Sequence, residues 1–218
     1  MTKRTQAGFS LLEMIVAMTI MLVLMGIVTT LLSRSLSVRT RESQRTDALT
    51  SAQAALNVMS REIANSGFGI YSGTNSRLAS NGIVTADSSA TQIHFRANIA
   101  NDGPVNTTAS VLTTDDPGED VTYFFDAGTN SIVRFDPNDT PQTSVVVNKI
   151  SSVTFTYFDY VGTGSAGVQT ATPTANTGRI RITVLVQLDA VQGQANPNDV
   201  QFTSDVTLRN SAYMLNQY

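Results

Sequence analysis

The sequence predicts an α+β protein, in which a long N-terminal helix packs on a mostly antiparallel β-sheet domain. Two patterns along the 218 residues support this prediction. Up to about residue 66, apolar residues form one dense run and then recur at spacings of three and four. From about residue 83 they alternate with polar residues. Spacing by three and four is typical of an amphipathic helix, and alternation is typical of a half-buried strand.

Residues 9–32 form an apolar segment long enough to cross a membrane. They read FSLLEMIVAMTIMLVLMGIVTTLL, 24 residues in which Glu13 is the only charge. A helix of this length extends about 36 Å, which exceeds the roughly 30 Å of a hydrocarbon core. A buried core helix fits less well because the segment is apolar on all sides, and a secretory signal would need a small-residue cleavage site after the run. We predict a transmembrane helix.

Glu13 requires an explanation of its own. A carboxylate within a membrane helix costs a few kcal/mol unless a positive group neutralises it, and such residues mark functional sites. A short basic leader, MTKRTQAG, precedes the apolar segment and ends at Gly8. Cleavage between Gly8 and Phe9 would create an α-amino group on Phe9. That amine is a natural partner for a carboxylate in a medium of low dielectric constant.

The string AGFSLLEMIVAM resembles the processing site of type IV prepilins and type II secretion pseudopilins. The resemblance implies that prepilin peptidase cuts after Gly8 and methylates the new N-terminal Phe9. It also implies that Glu13 pairs with the N-terminal amine of a neighbouring subunit during filament assembly. The implied partners are this peptidase, other pilin or minor pilin subunits, the inner membrane and an assembly platform protein.

The basic residues on the two sides of the span predict an orientation opposite to the one that the pilin resemblance implies. Lys3 and Arg4 precede the span, while Arg34, Arg39, Arg41 and Arg45 follow it. A simple count would keep the downstream part in the cytoplasm. We follow the more specific leader motif. It predicts a single-pass protein of the bacterial inner membrane that is found in the periplasm or in a cell-surface pilus after assembly.

The helix is predicted to continue through residues 33–66, which contain neither Pro nor Gly. Here the apolar residues form one stripe, and Gly67 follows the segment as a helix-ending residue. The stripe consists of Leu49, Ala52, Leu56, Met59 and Ile63. The predicted organisation is therefore a leader at 1–8, a transmembrane and assembly helix at 9–32, its amphipathic continuation at 33–66 and a β-rich globular domain at 67–218.

The end of the predicted helix carries a second resemblance. Residues 59–71 read MSREIANSGFGIY, in which Arg61-Glu62-Ile63 and Gly67-Phe68-Gly69 match the layout of W-type minor pilins of type IV pili. J-type minor pseudopilins of type II secretion systems are similar. The resemblance implies a minor subunit rather than a major one, and it favours the pilus over the secretion system.

Strands are predicted wherever apolar and polar residues alternate in the C-terminal part. Residues 123–125 and 132–135 read as a hairpin around the Gly-containing loop 126–130. The other candidate strands are 92–95, 145–147, 153–158, 180–188 and 201–209, and the remaining stretches 101–120, 136–144, 162–178 and 189–200 are predicted to be loops.

The composition argues against most enzyme classes. The chain has no Cys and only one His, His94, which removes thiolate metal sites, cysteine nucleophiles and the common zinc sites. A net charge of −3 makes binding to a nucleic-acid backbone unexpected. No paired catalytic carboxylates, phosphate-binding Gly loop or Ser/His/Asp set is present, so we predict no enzymatic activity and no cofactor.

Carboxylates cluster most densely at Asp115, Asp116, Glu119 and Asp120. A calcium site needs several oxygens that converge on one point, and this spacing does not match an EF-hand loop. We interpret the cluster first as a solvated acidic turn, and keep these four residues as weak metal candidates. Asp136-Pro137-Asn138-Asp139 and Asn196-Pro197-Asn198-Asp199 are interpreted in the same way.

Three functions of different kinds remain. The first is a minor pilin, a structural subunit that helps to initiate or tip a type IV pilus. The second is a minor pseudopilin of a type II secretion system. The third is a membrane-anchored envelope domain that never assembles, which predicts an uncleaved Met1 and no dependence on Glu13.

Overall fold

The computed structural model describes residues 10–70, 81–100, 114–161, 166–186 and 199–215. Its main helix, α1, spans Leu11–Ala64. A short 3-10 turn follows at Thr85–Asp87, and a short helix, α2, spans Ala212–Leu215. The strands are β1 (Gln92–Arg96), β2 (Asp120–Asp126), β3 (Ser131–Phe135), β4 (Thr143–Asn148), β5 (Ile150–Asp159), β6 (Val168–Thr170), β7 (Thr177–Val186) and β8 (Val200–Thr207).

α1 is one continuous helix of 54 residues, as the sequence predicts. Ser10 is its N-cap, in an extended conformation. After Ala64 the chain turns at Gly67, whose φ of +79° lies in the left-handed region that glycine adopts without strain. The extended N-cap Ser10 and the left-handed Gly67 therefore account for where α1 begins and where the chain leaves it.

The strands form two antiparallel sheets of four, in the orders β1-β2-β3-β4 and β6-β5-β7-β8. The α+β class with a long helix on antiparallel strands is thus confirmed, in a pilin-like arrangement. The division into two sheets was not predicted. It occurs between β4 and β5 at Lys149, a single residue with a φ of +59° that redirects the chain.

The predicted hairpin is confirmed. β2 and β3 pair in antiparallel register, with Asp126 opposite Ser131. One carboxylate oxygen of Asp126 accepts the Gly128 N–H at 2.9 Å, and the other accepts the Thr129 hydroxyl at 2.7 Å. These bonds hold the pKa of Asp126 below its usual range, with the Thr129 bond the larger cause. The turn is thereby closed by its own side chains.

Two loop predictions differ from the structure. Within 162–178, β6 pairs with β5 at the edge of the second sheet. Its three residues are too few to show alternation, and Val168 is largely exposed. The predicted loop 136–144 ends early because β4 begins at Thr143. Parts of the predicted loops 101–120 and 189–200, and the last two residues of the predicted strand 180–188, lie outside the described residues.

The core lies between α1 and the two sheets. The sheets contribute mainly aromatic and β-branched side chains, including the fully buried Phe95, Tyr123, Phe155 and Tyr157. From α1, six side chains are buried: Ala52, Ala55, Leu56, Met59, Ile63 and Ala64. Leu49, which the predicted stripe includes, is instead 39% exposed. Because no α1 residue before Ala52 is buried, Leu49 lies where the helix leaves the domain.

Met59→Ala is expected to destabilise the domain by about 2–5 kcal/mol, because Met59 is fully buried and its loss leaves a cavity. Its neighbour Val58 is 45% exposed, so Val58→Ala is the matched control and should cost well under about 1 kcal/mol. Urea unfolding of the full chain in detergent micelles, followed by near-ultraviolet circular dichroism, measures both. Equal losses for the two variants would contradict the packing of α1 on the sheets.

Candidate functional site

The N-terminal half of α1 presents an unpaired apolar surface. Large apolar side chains remain exposed from Leu11 at 79% to Leu32 at 58%. The most apolar window of 18 residues has a mean hydropathy of 2.6, and none of it is buried within the chain. By length and composition this helix is able to cross a membrane. A lipid bilayer, or the matching helices of other subunits, would remove this surface from water.

Hydroxyl groups within this half are satisfied by the helix itself. The side-chain hydroxyls of Thr19, Thr29 and Thr30 donate to the carbonyl oxygens of Val16, Met25 and Ile27, at 2.7–2.8 Å. In hydrocarbon an unsatisfied hydroxyl would carry a desolvation cost, and these bonds avoid it. The threonines are therefore compatible with a lipid environment.

Glu13 lies in the first turn of α1 and is exposed. Its Oε2 accepts the backbone N–H of Ser10 at 3.1 Å, which satisfies one of the free donors at the helix N-terminus. Among the described residues no cation pairs with this carboxylate. The predicted sites Gly8 and Phe9 lie outside the described residues.

The predicted carboxylate cluster does not point toward one centre. Glu119 is almost fully buried, and its oxygens accept backbone N–H groups of Ala100 at 2.9 Å and Asp116 at 3.3 Å. Asp120 instead accepts hydrogen bonds from the side chains of His94 and Arg96. In the described part of the chain, no group of three or more His, Asp or Glu residues is arranged to hold a metal ion.

Asp136 is fully buried and organises the neighbouring turn. It accepts the backbone N–H groups of Gly118 at 2.7 Å and Asn138 at 3.0 Å, and the Arg134 guanidinium at 3.1 Å. The motif around Asp136 is thus a structural turn, as first interpreted. The sequence did not predict that Asp136, the first carboxylate of this motif, is buried.

The C-terminal end of α1 is tied to the first sheet through Glu62. Its Oε2 accepts the Tyr123 hydroxyl at 2.7 Å and the Arg134 Nε at 3.1 Å. Burial raises the pKa of Tyr123, and the Glu62 charge raises it further. Burial alone would lower the pKa of Arg134, but Glu62, together with Tyr123 and Asp136, more than offsets this, so the net shift is upward. Tyr123 is therefore held neutral and Arg134 charged.

The segment Gly67-Phe68-Gly69 docks alongside the end of β1. The Gly67 N–H donates to the Arg96 carbonyl at 2.9 Å, and the Asn98 N–H donates to the Phe68 carbonyl at 2.7 Å. Gly69 has a φ of +68°, and a Cβ there would clash with the Asn98 carbonyl oxygen. Both the backbone angle and the close approach require glycine. Together with Glu62, this segment fixes the end of α1 on the domain.

Removing the Glu62 carboxylate is expected to destabilise the domain. Glu62→Ala should cost about 1–3 kcal/mol, because it leaves the Tyr123 hydroxyl and the Arg134 guanidinium without this acceptor. Glu62→Gln should cost less, because its amide oxygen can still accept from Tyr123. Arg61→Ala, at the exposed neighbouring position, is the control. Urea unfolding measures all three, and an unchanged midpoint for Glu62→Ala would contradict the role of this contact.

Alkaline pH is expected to unfold the domain through its buried tyrosines. Burial raises the folded-state pKa of Tyr123 and of Tyr157 above the unfolded value of about 10. The stability that the neutral hydroxyls contribute is therefore fully present below pH 10. Above it, stability falls by up to about 1.4 kcal/mol per pH unit for each tyrosine.

The measurement is the free energy of unfolding between pH 9 and pH 12, compared with that of a Tyr123→Phe/Tyr157→Phe double variant. The variant should lose less stability per pH unit than the unaltered chain. Parallel curves for the two proteins would show that these hydroxyls do not control the alkaline transition.

The N-terminal part of the chain matches a known family model. The match is to the prokaryotic N-terminal methylation motif, over residues 3–29. No curated protein and no solved structure matches the chain. The matched range contains Gly8, Phe9, Glu13 and most of the exposed apolar half of α1. The chain therefore carries a type IV prepilin-like leader followed by a hydrophobic helix. This arrangement is found in structural subunits that prepilin peptidase processes. The hydrophobic helix also fits anchoring in a membrane.

Proposed function

We propose that this protein is a minor pilin, a structural subunit that helps to initiate or tip a type IV pilus. One observation carries the proposal: the methylation motif at residues 3–29 covers most of the half of α1 whose apolar surface has no cover among the described residues. Prepilin peptidase removes residues 1–8 by cutting between Gly8 and Phe9, and Phe9 is N-methylated. Residues 9–32 then form the transmembrane and assembly helix.

Assembly in this proposal neutralises Glu13. The carboxylate has a hydrogen bond from Ser10 but no cation among the described residues of its own chain. The N-terminal amine of an incoming subunit supplies that cation, and the ion pair forms in a medium where an unpaired charge costs a few kcal/mol. The electrostatic gain is therefore available only when a second subunit is present, which favours assembly over dispersal in the membrane.

The proposed location follows from the same helix. Before assembly, the single span anchors the protein in the inner membrane, with residues 33–66 continuing the helix into the periplasm and residues 67–218 forming the globular domain. There the subunit meets an assembly platform protein and other pilin or minor pilin subunits. After assembly it belongs to a periplasmic or cell-surface filament.

A minor pseudopilin of a type II secretion system is the second candidate, because the leader motif is shared by both classes. The end of α1, with Arg61-Glu62-Ile63 and Gly67-Phe68-Gly69, favours the pilus. Neighbouring genes would decide: other minor pilins and an adhesin support the pilus, and secretion components support the pseudopilin.

A membrane-anchored domain that does not assemble is the third candidate. Leader cleavage and filament entry of the variants below distinguish it from a pilin.

Processing and assembly are expected to depend on different residues. Gly8→Ala should block leader removal, whereas Glu13→Ala should be cleaved normally but should fail to enter filaments, because the carboxylate partner of the incoming amine is missing. Glu13→Asp, one methylene shorter, should retain part of the assembly. Each variant is produced together with prepilin peptidase and a pilus assembly system. The N-terminal mass is then measured, along with the fraction that sediments with filaments.

Folding of the β domain serves as the control, measured by its resistance to protease, and it should be equal in all variants. An intact Met1 in the unaltered chain, together with normal filament entry of Glu13→Ala, would overturn the proposal in favour of a non-assembling anchor.

A further inference from the structure

An open groove of about 680 Å³ lies between the last turns of α1 and the end of β8. Ala64 and Val206, both buried, and the half-buried Met214 of α2 supply its apolar lining. The groove lies far along α1 from the apolar N-terminal half. It belongs neither to the proposed processing site nor to the Glu62 contact with the first sheet.

Two guanidinium groups line this groove, those of Arg61 and Arg209. Both side chains are exposed. Arg61 has no hydrogen bond or ion pair with any residue that the structure describes. Among the described residues the Arg209 guanidinium has only one long hydrogen bond, from Nη1 to the Asn65 Oδ1 at 3.5 Å. Each guanidinium carries five N–H donors in a planar fork suited to carboxylates, so most of the donors here are unused.

The carboxylate that lines the same groove, Asp205, is already paired elsewhere. Its oxygens accept from Arg181 at 2.7 and 2.9 Å and from Arg179 at 3.3 Å. The Arg181 bond holds the pKa of Asp205 below its usual range. Because two other arginines compensate Asp205, the groove keeps the positive charge of Arg61 and Arg209.

The backbone holds the two arginines in place. The Arg209 N–H donates to the Ala64 carbonyl at 3.2 Å, and the Asn210 side chain donates to the Ser66 carbonyl at 3.1 Å. These bonds fasten the end of β8 to the end of α1. The carbonyl end of a helix also favours nearby cations, by about 0.3–1 kcal/mol, without using their N–H donors. These bonds thus place both arginines at the same groove, while their exposed side chains remain available to a ligand.

We propose that this groove binds an acidic, extended segment of a partner protein, with carboxylates of that segment accepting hydrogen bonds from Arg61 and Arg209. The chemistry of the groove favours this ligand because two unused guanidinium groups match two carboxylates. Its volume and apolar floor exceed what a single small anion fills, and suit an extended peptide whose methylene groups cover the floor. The inference does not rest on leader cleavage or filament assembly.

The test uses the full chain in uncharged detergent micelles and a synthetic hexaglutamate peptide as the probe, with binding measured by isothermal titration calorimetry. Arg61→Gln and Arg209→Gln should each weaken binding by about tenfold or more, since a hydrogen bond to a charged group is worth about 1.5–3 kcal/mol. Arg39→Gln is the matched control. It removes an exposed arginine of the same helix outside the groove, and should leave the affinity within about twofold.

Three results would overturn the inference. The first is no binding of hexaglutamate to the unaltered chain at millimolar peptide. The second is equal weakening by Arg39→Gln, which would indicate attraction by net charge alone. The third is inorganic phosphate binding as tightly as the peptide, which would indicate a small-anion site. Unchanged thermal unfolding of the three variants confirms that any lost binding is not lost folding. Because cleavage at Gly8 plays no part in this experiment, its failure and that of the proposed function are distinguishable.

Discussion

The unbroken backbone of α1 is the constraint on which the rest of this structure depends. One hydrogen-bonded helix joins a segment that is apolar on every side to a segment that buries a single stripe. Successive residues of a helix are separated by a fixed rotation, so the stripe from Ala52 to Ile63 sets the side of the helix on which the β domain lies. The position of the β domain on α1 is therefore set by the same helix that carries the apolar segment.

Two kinds of interaction hold the domain on this helix, and they do different work. The stripe centred on Met59 supplies apolar burial, which is strong but tolerates sliding between similar side chains. The contacts of Glu62 and of Gly67-Phe68-Gly69 are directional, because each needs a particular donor or acceptor at one position. Together they specify both the face and the register of the helix. This matters for the proposed function, in which other subunits contact the N-terminal half of α1 and the C-terminal half carries the β domain.

Charge is distributed according to these two environments. The apolar half of α1 carries only Glu13, whereas the C-terminal end presents Arg61 beside Arg209 and pairs Glu62 within the domain. In hydrocarbon a single charge has a large effect because little solvent screens it, while exposed charges at the far end act mainly through matched hydrogen bonds.

The sequence by itself determined the features that depend on neighbouring residues. The α+β class, the extent of α1, the β2–β3 hairpin and the leader with Glu13 all follow from periodicity, turn chemistry or a contiguous motif, which the chain carries locally. Only the tertiary structure decided that Lys149 separates two sheets, that the three residues Val168–Thr170 form β6, and that Glu62 meets Tyr123 and Arg134. It also decided that Glu119 and Asp136 are buried rather than solvated. These features depend on residues distant along the chain, whose approach is set by the packing of α1 and the sheets, and no local pattern encodes which donor will face a given carboxylate.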